Sequence, residues 1–294
     1  MWYKNFDPAA MGISGRLSEL IELGMAAGFR GFHFDGNVLA RKADGRGSDL
    51  NLQILQSAKL KVGEFELPIR WLGEEGPYKA DLQRLAKLAE VAKASGADQA
   101  VTTVAAAANE KSYQENFELH RRRLTEIGEI LAPHGVKLGL HFLAPAYHRE
   151  GQAYQLISTP QTLLTLVQTI GLPNVGIVLD SWHWHVAGAT SEQMRAVPVR
   201  QIVAVRLADV AADANLATIN ETQRLLPQST NVVDNLSLIR YLTTQGYEGP
   251  VTPSPHASQL SGRTRDAIVQ AASKSLDDRT ADITAAETPA PAGA

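Results

Sequence analysis

An aspartate and a histidine stand three residues apart in the segment VLDSWHWHVAG, residues 178–188. Asp180 offers a carboxylate and His183 an imidazole, a pair that can bind a divalent metal, or bind a sugar hydroxyl and shuttle its proton. Trp182, between them, could pack on the apolar face of a sugar ring or close off one end of the fold. Asp-x-x-His alone is a weak signal, since an aspartate often caps the loop that follows it. Its place in the fold must decide its role.

A second histidine, His141, stands near the end of the apolar run KLGLHFLAP, residues 137–145. A polar group inside an apolar strand costs free energy unless it has a partner, so His141 is either a satisfied core residue or part of a site. Polar side chains end the other apolar runs in the same way. They are His33 with Asp35, Glu64 with Glu66, Thr102 with Thr103, Arg206 with Asp209, and Ser254 with His256.

Eight short apolar runs alternate with longer helical patterns along the chain. The runs lie at 2–6, 28–35, 61–68, 98–105, 136–143, 174–180, 200–209 and 249–256. Near-continuous apolar runs are typical of parallel strands covered on both faces, and eight strand–helix units predict a (β/α)8 TIM barrel. No glycine-rich phosphate loop follows the first run, so we expect neither a doubly wound sheet nor a nucleotide cofactor. In such a barrel the polar strand ends meet at one face, where active sites lie.

The longest helical pattern covers residues 112–135. Phe117, Leu124, Ile127 and Leu131 recur at three- and four-residue spacing and predict one buried face. The arginines at 121–123 fall mostly on the opposite face, so we expect them to point to solvent.

Composition sets the class of protein. The chain has 294 residues, is 44% hydrophobic, carries a formal charge of -3 and contains no cysteine. These values exclude disulfides and give no basic surface for nucleic acid or an anionic membrane. No apolar run is long enough to span a membrane and no secretory signal begins the chain, so we expect a cytoplasmic protein. We predict one domain over 1–277 and a disordered tail over 278–294, where small and polar residues dominate.

Several segments resemble the xylose-isomerase-like TIM-barrel family, also called sugar phosphate isomerase/epimerase or AP-endonuclease-family-2-like. They are LHRRRLTEIGEILAPHGVKLGLHFLAP, NVGIVLDSWHWHVAG, IVAVRLAD, TQRLLP and QGYEGPVTPSPH. The resemblance covers roughly residues 1–275 and implies a barrel that acts on sugars. It also implies one divalent metal held by a Glu, an Asp, a His and a Glu at the ends of strands five to eight. Asp180 matches the Asp, while His183 and Arg224 match residues that contact substrate in the family.

Three of the four implied metal ligands are substituted in this chain. His141 replaces the first Glu, Arg206 the His, and Ser254 the second Glu. His141 and Asp180, with His183 or His256, could form a site for Mn, Zn or Co, and Mg is the harder alternative. Alternatively, Arg206 pairs with Asp180 and takes the place of the cation. Both arrangements remain open from the sequence.

The resemblance and the polar residues together predict an enzyme that moves a proton next to the carbonyl of a keto sugar or inosose. The reaction would be an isomerisation, an epimerisation or a dehydration. We expect catalytic roles for His141, Asp180, His183 and Arg206, and substrate contacts from Trp182, Arg224, Ser254, His256 and Glu66. Glu64 and Glu66 are further acid–base candidates, since two like carboxylates on one strand face raise one pKa.

The alternative is an inactive barrel that binds a sugar or a partner after losing the metal site. Hydrolysis of abasic-site DNA is disfavoured, because the acidic balance and the substituted ligands both oppose it. The expected partner is a small sugar or polyol, with a homo-oligomer possible and neither nucleic acid nor membrane involved.

Overall fold

A closed barrel of eight parallel strands forms the centre of the protein. The computed structural model describes residues 1–46 and 50–278. Within them the barrel strands are β1 Tyr3–Phe6, β2 Gly31–Phe34, β3 Lys61–Glu66, β4 Gln99–Thr103, β5 Lys137–His141, β6 Val175–Asp180, β7 Ile202–Leu207 and β8 Pro250–Pro253. Neighbours in the chain are neighbours in the barrel, and β1 pairs with β8 to close it. The predicted (β/α)8 barrel is confirmed, with each strand inside its predicted run.

Helices follow the strands and surround the barrel. In the described ranges they are α1 Leu17–Ala26, α2 Gly36–Ala43, α3 Leu50–Ser57, α4 Glu75–Ala94, α5 Tyr113–Leu131, α6 Pro160–Ile170, α7 Ser181–Val186, α8 Ser191–Arg195, α9 Asn235–Thr244 and α10 Arg265–Lys274. A capping box fixes the start of α5, since Ser112 and Glu115 each accept the other's backbone N–H. A short antiparallel ribbon, Ala107–Ala108 with Tyr154–Gln155, joins the loops after β4 and β5.

The barrel interior is filled with side chains below the mouth. Val101, Val178 and Ala204 form a small apolar cluster inside the strands. Closer to the N-terminal end, the amide of Asn5 lies fully buried and donates to Thr252 Oγ1 at 3.0 Å. A Cβ at Gly63 would lie only 2.1 Å from Asn5 Oδ1, so glycine is required there for the amide to fit. The interior is therefore a packed floor beneath an open mouth.

Helix α5 buries the predicted apolar face but also a charge. Leu124, Ile127 and Leu131 are fully buried, as expected. The prediction that the arginines point to solvent is wrong for Arg123. Its guanidinium is buried and donates to the carbonyls of Trp71 and Gly73, at 2.6 and 2.7 Å, and to Glu75. The loop after β3 leaves those carbonyls without backbone partners, and Arg123 satisfies them.

Two predictions can be compared with the structure only over the residues that it describes. No helix within 1–46 and 50–278 is long and apolar enough to cross a membrane. The tail predicted to be disordered lies, apart from Asp278, outside the described residues. The domain boundary at residue 277 thus stays a prediction.

Candidate active site

Asp180 ends β6 at the mouth and begins α7. Its Oδ1 accepts the backbone N–H of Trp182 at 3.1 Å and of His183 at 3.2 Å, so the carboxylate caps the helix as well as facing the mouth. Burial alone would raise the pKa of Asp180. The Arg224 guanidinium, together with smaller contributions from His183 and His141, outweighs burial and holds that pKa well below its usual value. Asp180 is therefore an anion at neutral pH, despite being almost completely buried.

Arg224 supplies the cation that Asp180 needs. Its Nη2 lies 2.9 Å from Oδ2 and 3.2 Å from Oδ1 of the carboxylate. Nε donates to the Ser254 carbonyl at 2.8 Å, and Nη2 also donates to the Ser254 hydroxyl at 2.9 Å. The guanidinium carbon lies 5.0 Å from the centre of the Trp182 ring. Contacts from three sides fix this side chain in place.

His141 faces Asp180 from the end of β5. Its Nε2 is 3.4 Å from Oδ2 of Asp180, yet this buried nitrogen has no hydrogen-bond partner among the described residues. Burial lowers the pKa of His141, and the nearby Asp180 offsets this only in part. The unpartnered Nε2 of the neutral imidazole and the adjacent carboxylate oxygen can both hydrogen-bond to one hydroxyl group that approaches the pair from one side. The hydroxyl would accept from one and donate to the other.

His183 packs edge-on against His141, with ring centres 4.9 Å apart. Its Nδ1 accepts the backbone N–H of Ala144 at 3.2 Å. Burial holds the pKa of His183 well below its usual value, so the ring is neutral near pH 7. Since Nδ1 accepts, the single ring proton must be on Nε2. His183 can therefore donate a hydrogen bond to a ligand.

Arg206 and Glu64 form an ion pair across the barrel. Nε of Arg206 donates to Oε1 of Glu64 at 2.8 Å. Glu64 is 1% exposed, and its Oε2 has no hydrogen-bond partner in the described chain. The Arg206 side chain is 21% exposed, and neither Nη group hydrogen-bonds to any described residue. Arg206 thus keeps two donors directed at the mouth.

Glu66 follows Glu64 by two positions and is solvent-accessible at the mouth. The surrounding protein excludes part of its water, and this desolvation raises the pKa of its carboxyl. Arg206 lowers the pKa of Glu66 to a smaller extent, and Glu64 adds a small further rise. The predicted rise in one glutamate pKa is found, but burial contributes more to it than repulsion from the neighbouring carboxylate.

Other predicted site residues lie around these groups. Trp182 is fully buried among Ala208, Val210, Ile219 and Val233, so its ring closes the barrel end and does not face a ligand. Ser254 contacts Arg224. His256 caps the next turn, with Nδ1 2.8 Å from Ser258 Oγ, and so lies outside the cluster of His141, Asp180 and His183. The structure therefore does not bring His256 together with His141 and Asp180 as the predicted third metal ligand.

The pairing of Arg206 with Asp180, one of the two open alternatives, is also corrected. Arg206 and Asp180 are partners in the strand register, but their side chains bind different residues. Arg206 reaches across the barrel to Glu64, and Arg224 comes from a loop to Asp180. Asp180 is paired with a guanidinium, as that alternative required, but the guanidinium belongs to Arg224 and not to Arg206.

Within residues 1–46 and 50–278, His141, Asp180 and His183 could hold a metal, since their ligand atoms lie within 4.8 Å of one another. The donor types suit a transition metal. However, both oxygens of Asp180 contact Arg224, and Nδ1 of His183 accepts a backbone N–H, which leaves a proton on Nε2. At about 4 Å and an effective dielectric near 20, the guanidinium would repel each unit of cation charge by about 4 kcal/mol. The donors as arranged do not fit a metal beside Arg224.

A cluster at the rim escaped the sequence analysis. His148 Nε2 lies 2.7 Å from Oε1 of Glu221, whose other oxygen accepts from the Tyr147 hydroxyl. This joins the loop after β5 to the loop after β7. The residues are 73 positions apart, and no periodicity could have paired them.

The family can now be assigned. A family model described as "Xylose isomerase-like TIM barrel" matches residues 21–279. The chain belongs to this family. The resemblance drawn from the sequence motifs is thus confirmed at the level of family and fold.

Three relatives are similar to this member of the xylose isomerase-like family. An inosose isomerase of Halalkalibacterium halodurans is 26% identical over 162 residues, 51% of this chain and 53% of the relative, so the chain matches about half the length of that curated relative. A xylose isomerase domain protein of Alicyclobacillus acidocaldarius superposes with a TM-score of 0.83 at 22% identity, covering 94% and 97% of the two chains. A structure of "IOLI protein with a binding zinc atom" gives 0.76 at 19% identity, covering 97% and 99%.

Proposed function

We propose that this protein is an enzyme that moves a proton at the carbon next to the carbonyl of a keto sugar or inosose. The observation that carries the proposal is the free Nη edge of Arg206. The Arg206 charge interacts with the carboxylates of Glu64, Asp180 and Glu66. A cation with unsatisfied donors beside a carboxylate of raised pKa is the pairing that enolate formation needs.

Arg206 is assigned to the carbonyl oxygen. As the C–H bond breaks, its electron pair forms the carbon–carbon double bond of an enolate, and negative charge develops on that oxygen. Two Nη donors can stabilise this charge. The hydrogen bond from Nε to Glu64 fixes the orientation of the Arg206 guanidinium and leaves its Nη groups available to the carbonyl oxygen.

Glu66 is assigned to the proton. Its carboxylate takes the proton from carbon and returns it to the adjacent carbon, giving isomerisation. Epimerisation would need a second group that returns a proton to the opposite face of the same carbon. A raised pKa makes the Glu66 carboxylate a stronger base than that of an ordinary glutamate. Dehydration would use the same first step, followed by loss of a β-hydroxyl as water.

His141, Asp180 and His183 are assigned to the substrate hydroxyls. Nε2 of His141 and Oδ2 of Asp180, 3.4 Å apart, offer one donor and one acceptor side by side. The Nε2–H of His183 adds a further donor. This set favours a polyhydroxylated substrate, in agreement with the inosose isomerases that the chain resembles over about half their length. That likeness disfavours an inactive, purely sugar-binding barrel.

Hydrogen exchange tests the proposal directly. The protein is incubated in heavy water with a panel of inososes and keto sugars, and NMR follows deuterium entry next to the carbonyl. We expect exchange with at least one compound, slowed by about a hundredfold or more in Glu66→Gln and Arg206→Gln. The matched control is Glu129→Gln on the exposed face of α5, which should exchange at the wild-type rate. Absence of exchange from every compound, together with a thermal shift on sugar binding, would overturn the proposal.

A further inference from the structure

The His141–Asp180–His183 cluster has the donor types of a metal site but already contains a positive charge. Asp180 is the one carboxylate in the cluster, and Arg224 contacts both of its oxygens. An ion held by Asp180 would have to share those oxygens with the guanidinium. One anion cannot neutralise a dication and an arginine together.

Arg224 is held too firmly to withdraw easily. Its Nε and Nη2 donate to the carbonyl and hydroxyl of Ser254, and its face lies over Trp182, itself fully buried. The side chain is only 8% exposed. Displacement would therefore expose a buried cation and leave the acceptors of Ser254 without their donor.

The neighbouring charges act in the same direction. Arg206 also interacts with Asp180 and His141 from the next strand, so two guanidinium groups surround one carboxylate. Of the two glutamates near Arg206, Glu64 is already bound to it in an ion pair, and Glu66 is exposed at the mouth.

We propose that the Arg224 guanidinium is the resident cation of this site and takes the place of a divalent metal. The enzyme then needs no bound metal, and Arg224 excludes one by occupying both oxygens of Asp180. This inference concerns the charge at Asp180 and does not depend on which sugar is the substrate.

Metal binding provides the test, independently of activity. Wild-type protein is stripped with a chelator, incubated with Zn²⁺, Mn²⁺ or Co²⁺, and freed of excess ion. Its metal content is then measured by mass spectrometry and its melting temperature recorded with and without each ion. We expect wild-type protein to retain far less than one ion per chain and to show no stabilisation. Stoichiometric metal that is lost in His141→Ala would overturn the proposal.

Substitutions at Arg224 separate charge from shape. In Arg224→Gln the affinity for Co²⁺ should rise by about tenfold or more, with stabilisation by the ion, because the repelling charge is gone. Arg224→Lys keeps a cation and should exclude the ion as the wild type does. The double variant Arg224→Gln/Asp180→Asn lacks the anionic ligand and should not gain affinity. A folded Arg224→Gln that binds Co²⁺ no better than wild type would contradict the proposal. If that variant does not fold, the wild-type and Arg224→Lys measurements decide.

Discussion

Nε of Arg206 donates to Oε1 of Glu64 at 2.8 Å, and this bond joins β7 to β3, which lie on opposite sides of the barrel. Adjacent strands are linked by backbone hydrogen bonds, whereas strands four places apart have only side chains to connect them. The ion pair therefore braces the mouth across its width. It also fixes the direction in which the remaining donors of Arg206 point.

Removal of Arg206 should destabilise the protein strongly. In Arg206→Gln, Glu64 is left nearly fully buried without its cationic partner, and we expect a loss of about 3 kcal/mol in unfolding free energy. Urea unfolding of Arg206→Gln, Glu64→Gln and the double variant should give a coupling energy of about 1–3 kcal/mol. The comparison is Lys87→Gln, which breaks the exposed pair with Glu90 and should cost less than about 1 kcal/mol. Wild-type stability in Arg206→Gln would contradict a structural role for the pair.

The exchange rate should depend on pH through Glu66. Its pKa is raised above the usual 4.5, so protonation removes the base at a higher pH than for an ordinary glutamate. We expect the rate to fall as the pH drops through that raised value, and this acid limb should disappear in Glu66→Gln, leaving only slow exchange. A profile of deuterium wash-in against pH provides the measurement. An acid limb unchanged in the variant would assign the proton transfer to another group.

The tautomer of His183 is a directly observable consequence of its contact with Ala144. Proton–nitrogen correlation NMR of histidine side chains should place the proton of His183 on Nε2. In His183→Asn the side-chain oxygen can still accept the Ala144 N–H, but the Nε2–H donor is lost. We expect a folded protein whose KM for the exchanging sugar rises by about tenfold, with a smaller change in kcat. A proton found on Nδ1 would contradict the assignment.

The buried His120 should make stability depend on pH. Its Nδ1–H donates to the Asn116 carbonyl, while its Nε2 accepts the N–H of Ala105 and can do so only in the neutral ring. Burial lowers the pKa of His120. The lowered pKa means that the stability is fully present above pH 6.5, the unfolded value, and is lost as the pH falls through the lower folded-state pKa. His120→Gln retains an acceptor for Ala105 but cannot titrate there. Its unfolding free energy should fall less steeply below pH 6.5, by up to about 1.4 kcal/mol per pH unit. Equal slopes in the two proteins would rule out this contribution.

The barrel could be predicted from the sequence because its strands are buried on both faces. Runs such as NVGIVLD are apolar throughout, and eight of them alternating with helical patterns leave few other folds. The polar strand ends were found for the same reason, since His141 and Asp180 interrupt otherwise apolar segments.

The pairing of charges could not be predicted from the sequence. Strand register makes Asp180 the neighbour of Arg206, yet the longer side chain reaches past it to Glu64. Arg224 reaches Asp180 from a loop, whose course depends on contacts distant in the chain. Asp209, for example, accepts backbone N–H groups from Thr230, Asn231 and Val233. Arg123 was predicted on a solvent face because helical periodicity does not record the carbonyl groups of a loop that need partners.

Asn5 packs against Gly63 and closes the lower end of the barrel, so the interior opens at the mouth. Under the proposed function, substrate and product must use the same opening, and the product must leave before the next substrate binds. Because bound product excludes substrate from the site, we expect the product to be a competitive inhibitor. Under the proposed function, we expect product release as well as proton transfer to contribute to the turnover rate.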